Sequence, residues 1–346
     1  MLTSQQVKDF AKSAGADLCG VANMERFKDA PAQMDPRYIF PEARSAIVLG
    51  RRIPRGTYRG IEEGTHWSNY TFYGYNRLNT LMLPKAQYET ACFLEDHGFE
   101  ATPVYPGVCE AEPSSEPRRE GQPGPNVYPA IRIAATAAGL GEMGWSKVFM
   151  SPEFGPRQRL CMILTDAELE PDPLVEPNSI CNLCMQCVDY CTGHCIPHIK
   201  EGKFVEIQIE DKTYRWGDVD MGKCCLTHHG LNKEASPFLA LDCPGLRMDV
   251  SEQEMSEEEA YKLTYTVGGG TWRKTEQFPT GHVLDYAYTM LKGVGYYAVC
   301  GARGCIRQCM IHCEEGGKIG QSFHNEFRKK PMWTLAPAGE ASLKED

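Results

Sequence analysis

Sixteen of the 346 residues are cysteine, and nine of these fall into two runs. Cys181, Cys184, Cys187, Cys191 and Cys195 form the first; Cys300, Cys305, Cys309 and Cys313 form the second. Cys224, Cys225 and Cys243 lie between them. The spacing Cys181-x2-Cys184-x2-Cys187-x3-Cys191 lets three thiolates converge on one iron–sulfur cubane while the fourth serves a second cubane. Thr192 stands where such runs usually carry proline. A structural zinc site is the competing reading, but it needs four closed tetrahedral ligands, for which three tandem steps are unusual. The second run opens with a four-residue gap and closes with the three-residue step of a ferredoxin half. The crossover rule asks one late cysteine, Cys309 or Cys313, to complete the first cluster. Cys224 and Cys225 are placed to donate a remaining ligand to the second.

Two further patterns invite chemistry. Gly139-Leu-Gly141-Glu-Met-Gly144 matches G-x-G-x-x-G. A dinucleotide site needs a strand before that pattern and a helix after it. Here an alanine-rich helix precedes it, so the pattern reads as a helix end and a tight turn. His228 and His229 follow Cys225 and read as loop residues or ligands. The acidic run Glu252–Glu259 reads as a solvated helix face.

The elements that must position these residues are legible in outline. Thr3 and Gln6 have capping-box spacing ahead of a helix over residues 3–15. Strands are expected at 17–21, 45–50, 99–105 and 159–165, with Ala46 to Leu49 a continuous apolar run of the buried type. Residues 76–97 read as a helix broken at Pro84 and stopped at Gly98. Residues 106–129 read as a long loop, and 129–138 as a helix ending at Gly139. A hairpin is expected from 204–210 and 213–216. Beyond it, the pattern predicts an acidic helix at 251–260, a glycine-rich loop at 267–270 and a helix at 283–291. Strands mixed with helices make the class α+β. The proline-punctuated stretch 171–179 divides a domain over 1–170 from a cysteine domain over 171–330, followed by a loose tail over 331–346.

Composition narrows the function. Lys and Arg number 36 against 46 Asp and Glu, a net charge of −10. A chain this acidic is a poor general binder of nucleic acid or anionic membrane. The N-terminus lacks a signal-peptide pattern and no window is apolar enough to span a membrane. A cysteine-dense chain without an export signal is expected in the cytoplasm, with its thiols serving metals rather than disulfides.

On these residues the sequence resembles a family: the cobalamin-dependent iron–sulfur reductases, comprising the reductive dehalogenases and epoxyqueuosine reductase. Residues 138–144, 150–157 and 164–166 are similar to the segment that precedes the clusters. Trp216 to Cys224 resembles the segment with an isolated cluster ligand. Gly304-Cys-Ile-Arg-Gln-Cys309-Met310 resembles the closing motif, with methionine in place of proline. The resemblance implies a nitroreductase-like N-terminal domain that holds a corrinoid, and a ferredoxin-like domain with two [4Fe–4S] clusters. It implies one cluster on Cys181, Cys184, Cys187 and Cys309, and the other on Cys191, Cys224, Cys300 and Cys305. Cys195, Cys225 and Cys313 would be spare or substitute ligands. The turn at Gly139, Gly141 and Gly144 would lie against the corrin.

Reductive cleavage of a carbon–halogen or carbon–oxygen bond needs a proton donor. Asn126 stands where the epoxyqueuosine enzymes place an aspartate, so Tyr128 is the nearest candidate, with Tyr70, Tyr73 and Tyr75 as rivals. The implied activity is an anaerobic reductive dehalogenase-like oxidoreductase with a small organic substrate. A low-potential donor such as ferredoxin or flavodoxin would feed it. A corrinoid-free electron-transfer protein and a transfer-RNA-modifying reductase are the alternatives.

Overall fold

The computed structural model describes residues 2–104, 116–228, 231–232, 248–269 and 300–327. Cys243, His229, Gly270, the helix expected at 283–291 and the tail lie outside the described residues, as do residues 106–115 of the long loop.

Strands β1 (Leu18–Asn23), β2 (Ser45–Arg52) and β3 (Ala101–Val104) are followed by a short pair, β4 (Glu142–Met143) and β5 (Phe149–Met150). Strand β6 (Gln158–Thr165) then completes a four-stranded sheet in the order β1-β2-β6-β3, antiparallel at every junction. Successive side chains on a strand face opposite ways. Ile47, Leu49, Cys161 and Ile163 therefore pack on one side against Val7, Ala11, Leu83, Ala86 and Leu94 of two helices, Ser4–Ser13 and Leu83–Asp96. Ala46, Val48, Leu160, Met162 and Leu164 pack on the other against Ala134, Ala135 and Ala137 of the helix Ile131–Ala137. Both faces are covered, which is why β2 carries no alternation of polar residues. The α+β class holds for the described chain.

A second hairpin, β7 (Phe204–Ile209) with β8 (Lys212–Gly217), forms as expected. Its Ile209, Tyr214 and Trp216 join the core on the Ile131–Ala137 side of the sheet. The cysteine half of the chain thus shares a core with the first half. Asp172 strengthens the junction: its carboxylate accepts from the Val21 N–H at 2.8 Å, and its carbonyl accepts from Arg26.

Three expectations need correction. Pro84 does not break its helix. It is the second residue of Leu83–Asp96, at the point where a helical run already under way passes from π to α. The chain enters that helix through two π-helical stretches, Tyr70–Asn76 and Leu78–Met82. The acidic helix starts later than residue 251, at Glu257, because Ser256 and Glu259 exchange hydrogen bonds as a capping box. Val267 to Gly269 belong to that same helix, Glu257–Gly269, rather than to a loop.

Candidate metal centre

The loop that opens the first cysteine run is fixed by a residue far upstream. The buried carboxylate of Glu142 accepts from the backbone N–H of Asn178 at 2.6 Å, Ile180 at 2.6 Å and Cys181 at 2.9 Å. Burial pushes its pKa up, and the three N–H donors oppose that shift. Next to it, the Trp145 backbone N–H donates to the Cys181 sulfur at 3.4 Å, and its indole N–H donates to the Pro197 carbonyl at 2.8 Å. Trp145 therefore ties both ends of the run together. Gly217, at the end of β8, donates to the Trp145 carbonyl at 2.9 Å. Leu183 and Met185, within the run, take φ of 58° and 60°. Backbone of this left-handed kind turns N–H groups inward to cradle an anion, as at many iron–sulfur sites.

Around this frame the thiols assemble. Cys181, Cys187, Cys191, Cys195, Cys224, Cys305 and Cys309 pack in one group with Trp145, Ile196 and Val219. All fourteen described cysteines are free thiols. Within the group, Cys309 donates to Cys187, which lowers the pKa of Cys187 and raises that of Cys309. The charge on Cys181 also bears on Cys309. Cys184 is exposed and lies in reach of the buried Cys313, whose pKa rises to about 12 through burial. On the other side, the Cys195 thiol and N–H donate to Cys191, which drops to about 6 although burial opposes it. Cys195 also pairs with Cys224. Cys300 and Cys305 feel the charges of Cys191 and Cys224. Among the described residues, no three Cys, His, Asp or Glu side chains close on a point sized for a single metal ion.

The late cysteines ride on the helix Cys305–Glu315, after the short helix Cys300–Arg303. Cys305 and Cys309 are one turn apart and so share a face. The opposite anchorage is ionic. Arg307 forms a bidentate pair with Glu62, both side chains 5% exposed or less, with Nη2 to Oε1 at 2.6 Å. Arg55 pairs with Glu314 at 2.7 Å. Aromatic residues close the flank of Cys300. The Tyr70 hydroxyl, fully buried, accepts from Arg159 at 3.2 Å. Burial raises the Tyr70 pKa, Arg159 opposes this, and the charges of Cys300 and Cys305 add to it. Arg159 also sits 4.8 Å from the Tyr75 ring, and the Tyr75 ring meets His228 at 5.8 Å. His228 Nδ1 lies 3.7 Å from the Cys300 sulfur.

The other expected site residues lie elsewhere. Gly139 has φ +70° and ends its helix as a left-handed cap. A Cβ on Gly139 would meet the Pro173 carbonyl at 2.4 Å, one on Gly141 the Met150 carbonyl at 1.9 Å, and one on Gly144 the Met150 sulfur at 2.7 Å. Protein fills the Cβ side of all three, so a corrin could meet this turn only on its other side. Half-buried Tyr128 is held by Gln33, whose carbonyl accepts its N–H at 3.0 Å, and its hydroxyl accepts from Asn126 at 3.1 Å. Tyr128 is not among the side chains packed with the thiols. Sequence reading missed Glu142, Trp145 and the Glu62–Arg307 pair. The one available signal was the glycine pattern itself, which brackets Glu142.

No family model matches the chain. Among curated proteins, tetrachloroethene reductive dehalogenases of Dehalobacter restrictus and Desulfitobacterium hafniense are each 34% identical over 97 residues. Over that stretch the chain is similar to reductive dehalogenases. The match covers 26% of this chain and 17% of those relatives' length. Among solved structures, a catabolic reductive dehalogenase aligns with a TM-score of 0.45 and 17% identity, over 84% of this chain and 37% of that one. An epoxyqueuosine reductase aligns with a TM-score of 0.44 and 15% identity, over 90% and 82% of the two chains. Among the described residues, no helix is long and apolar enough to cross a membrane.

Proposed function

We propose that the chain is an iron–sulfur oxidoreductase of the reductive dehalogenase kind, acting with cobalamin on a small organic substrate. The observation that carries this reading is the gathering of thiols from 181–195, Cys224 and Cys305–Cys309 into one apolar group. The donor set suits thiolate-held clusters. Cys181, Cys184, Cys187 and Cys309 would hold one [4Fe–4S] cluster, and Cys191, Cys224 and Cys305, with Cys300 as fourth in the family pattern, the other. Such clusters relay single electrons, and a corrinoid supplies the reducing centre for bond cleavage. A nitroreductase-like first domain, a ferredoxin-like second one divided near residue 170, and a corrin against the Gly139–Gly144 turn belong to the same proposal. So does a ferredoxin or flavodoxin as donor. A cytoplasmic location belongs to it too, since a reducing compartment keeps thiols free.

The chain's own residues would contribute in three ways. Glu142 and Trp145 hold the cysteine loop in shape. Trp145, Ile196 and Val219 exclude water from the thiols, which lowers the local dielectric and favours tuned potentials. A phenol supplies the proton that reductive cleavage consumes. Tyr128 is the phenol nearest the position, held here by Asn126, where the epoxyqueuosine enzymes place their donor. Tyr70 is the second candidate, favoured by its Arg159 partner and its place beside Cys300 and Cys305.

The test is anaerobic reconstitution of the full chain with iron, sulfide and hydroxocobalamin, followed by assay with reduced viologen and halogenated phenols or ethenes. Release of halide with retained cobalt supports the reading. Retained iron with no corrinoid uptake and no halide release would favour the electron-transfer alternative.

A further inference from the structure

The family pattern names Cys300 as the fourth ligand of the second cluster, after a four-residue gap where two is usual. We infer that Cys195, rather than Cys300, completes that ligand set with Cys191, Cys224 and Cys305. This rests on the iron–sulfur reading above and deepens it.

Four observations converge. Cys195 is 4% exposed and packs in the same group as Cys191, Cys224 and Cys305, a group that does not include Cys300. Its backbone is locked at both ends: its N–H donates to the Cys191 sulfur at 3.3 Å, and its carbonyl accepts from Asp220 at 2.9 Å. Asp220 in turn accepts the Cys224 N–H at 3.0 Å, so one short hydrogen-bonded path joins the three cysteines.

Gly193 leaves room for the thiol. A Cβ there would stand 2.6 Å from the Cys195 sulfur and 2.3 Å from the Thr227 hydroxyl. Thr227 is buried, and its hydroxyl has no hydrogen-bond partner. An orphaned buried donor beside a thiol is costly unless something accepts from it, and sulfide or thiolate of a cluster would do so.

Cys300 is differently engaged. It starts its own short helix, and its sulfur lies 3.7 Å from His228 Nδ1. Its thiol feels the charges of Cys224, Cys305 and Cys191 and also meets the Tyr75–His228 flank. The His228 contact gives the Cys300 thiol a partner outside the thiol group.

The experiment compares full-length wild type, Cys195→Ala and Cys300→Ala after anaerobic reconstitution, reading iron, sulfide and the electron paramagnetic resonance of the reduced protein. Wild type is expected to hold about eight iron atoms. Cys195→Ala should lose about half of that iron and one of the two signals, whereas Cys300→Ala should keep both. The retained first centre in Cys195→Ala reports that the chain is folded. Should Cys195→Ala take up no iron at all, Cys195→Ser is read instead, and loss or altered g-values of the second signal supports the assignment. Both signals unchanged in the Cys195 variant, or one lost in Cys300→Ala, overturns it. Wild type without iron overturns the underlying reading, and does so before any variant is compared.

Discussion

Three N–H groups converge on the Glu142 carboxylate, so truncating that side chain orphans all of them at once. Each unsatisfied buried donor costs roughly 1–3 kcal/mol. Glu142→Ala should therefore lose about 3 kcal/mol or more of unfolding free energy in urea titration. Glu142→Gln, which keeps one acceptor oxygen, should lose clearly less. Equal losses would mean that one acceptor oxygen is not enough and that both oxygens, or the charge, are required. The two candidate proton donors separate by the same kind of comparison. If Tyr70 is the donor, Tyr70→Phe should cut turnover by about 10²-fold or more while Tyr128→Phe leaves it within a few-fold; the reverse pattern assigns Tyr128. The cysteines were legible in the sequence because ligand spacing is a local property. Glu142 was not, since its partners are backbone groups 36 to 39 residues away and a backbone N–H leaves no mark on composition.

The helix Cys305–Glu315 has two jobs at the scale of the element. One face brings Cys305 and Cys309 to the thiols, and another is riveted to the first half of the chain by Arg307 and Glu62. Removing one partner of a buried ion pair costs about 3–5 kcal/mol, because the other charge stays behind unpaired. Glu62→Ala should thus destabilise the protein strongly, and it should also lower iron uptake, since both cubanes take a ligand from this helix in the proposed scheme. Stability falling with iron uptake unchanged would show that the pair stabilises the fold without positioning the cysteines. The strands were readable from their apolar runs, and the capping box Thr3–Gln6 forms as its spacing predicts. The π-helical stretches before Pro84 were not readable, because an i→i+5 ladder has no distinctive apolar period to signal it.

Across the whole molecule, a shared core bridges the proposed division near residue 170. Ile209, Tyr214 and Trp216 of the hairpin pack with Ala46, Val48 and Met162 of the sheet. The described halves should therefore unfold together. Metal bound to the native state alone adds stability by mass action. Chelation under anaerobic conditions should lower the Tm in a single transition, and two well-separated transitions would show that the halves are independent. The shared core was beyond sequence reading, since it depends on which face of the sheet the hairpin covers.

The central claim is that two cubanes sit in one protein shell. Anaerobic reconstitution of the full chain, read by metal analysis and electron paramagnetic resonance of the dithionite-reduced protein, tests it most directly. About eight iron and eight sulfide per chain with two interacting signals are expected. Zinc in place of iron, or one isolated signal with about four iron, would contradict it.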